Sequence, residues 1–139
     1  NISGKWNDLS RELMRILQKE SELDEIVKLV GVDALSKDDR LTLEIARSVR
    51  EDFLQQNAFD IEDAFTEQKK QLALIELILF FRDKAKEAID NGADIDKIAS
   101  LPVRERIGRA KVTADHEVKE VFADIKAEIE SSLKALYVR

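Results

Sequence analysis

The sequence predicts an all-α protein, and three observations carry that expectation. Apolar residues make up 44% of 139 positions and charged residues 37%, a mixture that suits helices with one buried and one solvated face. Residues that punctuate strands and tight hairpins are scarce, with 4 Gly and 1 Pro. Apolar side chains recur at steps of three and four along most of the chain, the period of a helix and not of a strand. The expected architecture is one domain over 1–139, a bundle of about six to seven helices.

Asn1 to Gly4 has no pattern and is expected to be unstructured. Trp6, Leu9, Leu13, Ile16 and Leu17 set a first helix over 7–19, with Trp6 anchoring its start. Ser21 stands three residues before Asp24, the spacing that caps a helix N-terminus, so a break near Glu20 and a short second helix to Val30 are expected. Gly31 suits the left-handed residue that closes it. Ser36 stands three residues before Asp39, and Leu41, Ile45, Val49 and Phe53 follow at steps of four, which predicts a long helix over 37–55. Asp38 and Asp39 lie in its first turn, where the positive end of the helix dipole stabilises them by about 0.3 to 1 kcal/mol. The uncharged run Gln55, Gln56, Asn57, Ala58 and Phe59 ends this helix, because side-chain amides compete for backbone hydrogen bonds. At 1.5 Å rise per residue, the helix would hold its acidic turn and its aromatic end about 25 to 30 Å apart.

A polar connection runs through Asp63, and the helical period resumes over 67–90 with Leu72, Ile75, Ile78, Leu79 and Ala85, stopping at Asn91 and Gly92. Leu77 to Phe81 is apolar without interruption, so this helix is expected at the centre, buried on all sides. Asp94 caps a short helix to Ser100, and Pro102 fits the first position of another to Lys111. The last helix, over 115–136, carries Val118, Val121, Phe122, Ile125, Ile129, Leu133 and Leu136 in register as an amphipathic lid.

The catalytic inventory is poor. The one histidine, His116, has no Glu three residues before it, so the Glu-x-x-His pairs of di-metal bundles are absent and a surface role is expected. No Gly-x-x-x-x-Gly-Lys-Ser/Thr loop is present to hold phosphates, and no Ser nucleophile is paired with a base. With 23 basic and 29 acidic residues the net charge is −6, which argues against nucleic acid or an anionic membrane as a partner. The chain has no cysteine, no signal-peptide pattern and no apolar run long enough to span a bilayer, so a cytoplasmic location is expected.

Three segments in order, ESELDEIVKLVG ending at Gly31, DALSKDDRLTLEIAR beginning at Asp33 and REDFLQQNAF ending at Phe59, resemble the C-terminal helical domain of the catalytic A subunit of archaeal and vacuolar-type rotary ATPases. The likeness extends to the F-type beta subunit, whose acidic turn reads DELSEED and whose aromatic end reads Gln-Pro-Phe. The resemblance implies that Asp33, Ser36, Asp38 and Asp39 face the central rotating shaft, and that Gln56, Asn57, Ala58 and Phe59 edge the adenine pocket. Relative to DELSEED, Ala34 and Lys37 stand where acids do, leaving three Asp against one Lys and a formal charge of −2. Shape would then matter more than charge in any grip on the shaft.

The resemblance further implies a fragment of a larger subunit that binds ATP or ADP with Mg2+ through upstream elements, this chain holding neither alone. The implied partners are the B subunit, which alternates with the catalytic one, and the shaft subunits. The implied work is ATP synthesis or hydrolysis coupled to proton or sodium transport, at the cytoplasmic side of the cell membrane and touching it only through the rest of the complex. The alternative is a free-standing helical protein–protein interaction module that binds no nucleotide.

Overall fold

The computed structural model describes residues 2–53 and 64–138, with side chains at 4–53 and 68–138. Among them the chain is helical throughout: α1 (Ile2–Val30), α2 (Lys37–Ser48), α3 (Ala64–Asp90), α4 (Ile95–Ala99), α5 (Val103–Arg109) and α6 (Val118–Lys134), with short 3-10 turns and one π-turn between them. The all-α class is as the sequence implies.

Two expectations at the N-terminus are corrected. The helix begins at Ile2 instead of Asn7, and it runs unbroken to Val30, so the Ser21 capping signal goes unused. The reason is that Leu13, Ile16 and Leu23 continue one buried stripe across the predicted break. Ion pairs within the helix also bracket it, Arg15 with Glu12 at 2.7 Å and Lys19 with Glu22 at 3.9 Å. A capping sequence is an opportunity, and here burial of one continuous face outweighs it.

α1 ends at Gly31 as anticipated, but its φ of 88° and ψ of 162° put it in an extended, positive-φ conformation open essentially to glycine and not in the left-handed helical cap expected from the sequence. α2 carries the predicted stripe, with Leu41, Ile45, Val49 and Phe53 all buried. Its last turn differs from expectation: after Ser48 the backbone widens into a π-turn over Val49–Phe53. The segment from Leu54 to Asp63 lies outside the described residues.

α3 is the central element, packed by α6 and α2, with α1 and α5 also against it. Leu74, Ile75, Leu77, Ile78, Phe81, Ala85 and Ala88 are buried around it. Phe80 alone of Leu77 to Phe81 stays half-buried, its ring 5.6 Å from the Lys84 ammonium and 5.4 Å from that of Lys126. Asp94 caps α4 by accepting from Asp96 N–H at 2.8 Å. α5 is shorter than predicted, its last turn tightening to 3-10 at Ala110–Val112, and a 3-10 turn at Asp115–Glu117 precedes α6. α6 closes the bundle with Phe122, Ile125, Ile129 and Leu133. Among the described residues no polar or charged residue is buried and no buried side-chain polar atom lacks a partner.

Candidate functional site

The connection between α1 and α2 is built from local backbone chemistry. Gly31 N–H donates to Val27 O at 2.8 Å, and a 3-10 turn at Val32–Ala34 follows, with Leu35 N–H on Val32 O at 3.0 Å. Ser36 is extended, and its Oγ accepts from Asp39 N–H at 3.1 Å, the cap anticipated from the spacing. Asp33, Ser36 and Asp38 are exposed and Asp39 is half-buried. These four sequence-derived residues therefore fall on one turn.

Neighbouring elements hold α2. Arg40 pairs with Asp96 on α4, and Arg104 on α5 pairs with the Glu44 carboxylate. Arg104 also donates to Glu44 O at 3.0 Å, Ser48 Oγ at 3.1 Å and Ala99 O at 3.1 Å, while its guanidinium lies 5.9 Å from the Phe81 ring centroid. On the other side Arg50 reaches Glu20 of α1 at 2.7 Å. Arginine suits this post because its fork donates in several directions from one plane.

Where the π-turn meets α5, a cleft of about 620 Å³ is lined by Arg47, Asp52, Ser100, Arg104 and Gly108 among others. Burial pushes the Asp52 carboxyl above its usual range, helped by Glu51 and opposed by Arg104, Lys111 and Arg47. Gly108 keeps room for it, since a Cβ there would stand 3.1 Å from Asp52 Oδ1.

Sequence reasoning missed a further feature beside the acidic turn. Ile26, Leu29, Val30 and Val32 are large apolar side chains exposed to water. A signal was present: Leu23 and Val27 already continue the inward stripe of α1, which leaves Ile26, Leu29 and Val30 on a second face. Arg104 gave no comparable signal, because a partner sixty positions away leaves no periodic trace.

Gln56, Asn57, Ala58 and Phe59, the candidate adenine-edge residues, lie outside the described residues. His116 is exposed, 3.6 Å from Glu117. Among the described residues no group of three or more His, Asp or Glu side chains comes together as metal ligands, and no helix is long and apolar enough to cross a membrane.

The family described as the C-terminal domain of V and A type ATP synthase matches residues 1–99. This chain belongs to that family. The V/A-type assignment extends beyond the matched span, because similar proteins align across nearly the whole chain. It is 50% identical over 139 residues to the V-type ATP synthase alpha chain of Acetivibrio thermocellus, covering 100% of this chain and 24% of that one. It is 46% identical over 136 residues to the V-type ATP synthase alpha chain of Clostridium perfringens, covering 98% and 23%. It is 47% identical over 135 residues to the A-type ATP synthase A subunit of Methanopyrus kandleri, covering 97% and 23%. The chain thus spans about a quarter of the length of the curated relatives it matches. These relatives are alpha chains and A subunits, in keeping with the A-subunit resemblance of the three motifs.

Proposed function

We propose that this V/A-type C-terminal domain couples nucleotide state to shaft rotation in a catalytic A subunit, in either direction of the reaction. The observation that carries this reading is the placement of the Ser36-capped turn at the head of α2, whose buried stripe continues through Phe53 to a point six residues before Phe59. One continuous element thereby leads from the turn proposed to face the shaft toward the segment proposed to edge adenine. Gln56, Asn57, Ala58 and Phe59 would contact the base. The phosphates and Mg2+ would be held by the rest of the subunit, since this chain has no phosphate-binding loop. Binding at one end would tilt the domain, and the Asp33 to Asp39 turn would carry the displacement to the shaft. In this reading the domain works beside a B subunit on the cytoplasmic side of the membrane, and the whole complex moves protons or sodium ions.

Ala34 is exposed, so Ala34→Cys places a probe thiol on this turn in a parent enzyme whose other cysteines are replaced. In the assembled parent enzyme, with a second cysteine introduced on the facing surface of a central-shaft subunit and an added oxidant, the two thiols should join as a disulfide, to an extent that varies with the nucleotide present, and halt turnover until a reductant is added. A cross-link formed equally well in every nucleotide state, or none at all, would count against coupling through this turn.

A further inference from the structure

Leu41, Ile45, Val49 and Phe53 are all buried, yet each step of four overruns a helical turn of about 3.6 residues by about 40°. A plain α-helix would carry the last of them off the buried face. The π-turn at Val49–Phe53 takes more residues for its turn and brings Phe53 back, its ring 6.2 Å from that of Trp6. Asp52, next to it, lies against α5. A Cβ on Gly108 would stand 3.1 Å from Asp52 Oδ1 and 3.6 Å from its Cγ, so the missing side chain of Gly108 is what leaves the carboxyl its place.

α5 is a firm surface to lean on. Val103 and Ile107 are buried, Arg104 ties the helix to α2, and Arg106 reaches Glu128 of α6 at 2.6 Å. The Asp52 carboxyl gains no bond from the contact. Half-buried in the cleft, it makes no hydrogen bond or ion pair among the described residues, and Arg47, Arg104 and Lys111 act on it only at longer range, against Glu51. Burying an unbonded carboxyl weakens the fold, and a residue that weakens the fold it sits in is a candidate for function. We infer that Asp52 is a positioning residue for nucleotide binding: braced against Gly108, it sets the direction in which the chain leaves the π-turn, seven positions before Phe59. The ligand concerned is a purine base, and the inference rests on the adenine-edge reading above. A fixed exit direction lowers the cost of ordering base-contacting groups when nucleotide arrives. Shape carries the brace more than charge, because a carboxamide fills the same space beside Gly108.

The test uses the full-length parent chain assembled with its catalytic partners. Calorimetry compares Mg-ATP with Mg-tripolyphosphate, which offers phosphates without a base. Asp52→Ala removes the brace and Gly108→Ala displaces it, so each should weaken ATP binding about three- to tenfold and leave tripolyphosphate binding unchanged. Asp52→Asn keeps the shape and should bind ATP as the unaltered enzyme does. Both alanine variants should fold, the first losing an unbonded carboxyl and the second gaining a better helix former inside α5, and superimposable circular-dichroism spectra verify it. A purely structural role would instead lower stability and the affinity for both probes together. Equal losses for the two probes, or a loss in Asp52→Asn as large as that in Asp52→Ala, overturn the inference. Phe59→Ala separates this from failure of the underlying reading. ATP affinity reduced by Phe59→Ala but untouched by both alanine variants keeps the adenine edge and sinks the brace, whereas an indifferent Phe59→Ala sinks both.

Discussion

Val138 lies against Gly92: its Cβ is 3.0 Å from the position a Cβ on Gly92 would occupy, and its N–H donates to Asn91 O at 3.0 Å. The tail after α6 is thus docked on the corner between α3 and α4. Gly92 has φ of 89° and Gly31 has 88°, but a Cβ on Gly31 would meet nothing within 4 Å. Gly31→Ala should therefore lose only the backbone cost of holding a side chain at positive φ with extended ψ, about 1 to 3 kcal/mol. Gly92→Ala should add a steric loss against Val138 to its own backbone cost, and Val138→Gly should recover that steric part in a double-mutant cycle measured by urea unfolding. No recovery in the cycle would mean that the tail gives way freely.

Arg104 joins α5 to α2 by its pair with Glu44 and its bonds to Glu44 O and Ser48 Oγ, with its side chain 10% exposed. Arg104→Met should destabilise the domain by about 2 to 4 kcal/mol, since it removes a set of charged hydrogen bonds across α2 and α5 and leaves Glu44 only its pair with Arg47 at 3.0 Å. Arg104→Lys should restore little of this, because an ammonium cannot reproduce the fork. Denaturant midpoints of the three proteins give the comparison.

Ser36 caps α2 through one hydrogen bond to Asp39 N–H. Ser36→Ala should cost about 1 kcal/mol of stability, and Ser36→Asp should retain most of it. Thermal melts at matched pH distinguish the two. A loss in both variants alike would show that the hydroxyl has a further partner.

Two carboxylates give opposite pH dependence. Glu12 is held below its usual range by the hydrogen bond from Arg15, with Arg82 adding to it against some burial. Its folded pKa is depressed, so its contribution is present above the unfolded value of 4.5 and is lost as pH falls through the folded pKa. Asp52 is raised by burial, so the folded state binds its proton more tightly than the unfolded chain, and stability falls as pH climbs from the unfolded value of 3.8 through the folded pKa. Asp52→Asn should accordingly stabilise the domain at pH 7 and lose that advantage in acid, while Glu12→Gln should destabilise at pH 7 and become neutral in acid. Unfolding free energies followed from about pH 3 to 7 test both signs.

Phe59→Ala in the full-length subunit should weaken ATP binding by about 1 to 3 kcal/mol, the range for a base stacked on an aromatic ring, with unfolding unchanged. Calorimetric titration gives the affinity. An unaltered value would remove Phe59 from the adenine site.

The parts legible in the sequence were those written in short-range spacing. Ser36 and Asp39, the stripe Leu41, Ile45, Val49 and Phe53, the Asp94 cap and the stops at Gly31 and Gly92 each involve residues within a few turns of one another, and each stands where its spacing placed it. Ser21 misled because a local cap competes with a buried stripe that spans the site, and the stripe through Leu13, Ile16 and Leu23 prevails. Contacts across long separations, Arg104 with Glu44 and Val138 with Asn91, have no pattern to read in a single sequence. The acidic turn of the candidate site was legible as a cap; the apolar face beside it was hidden because Ile26, Leu29 and Val30 read like any other helical core.

Arg40 and Glu44 are one turn apart on the same face of α2, and each is tied to a different neighbour, Asp96 on α4 and Arg104 on α5. A rod pinned at one point can still roll about its axis or swivel on the pin. Pinned twice on one face, it has neither freedom unless it drags both neighbours along. Any push on the Ser36 turn would therefore travel as displacement of a whole block, and little of it would be absorbed as twist inside α2.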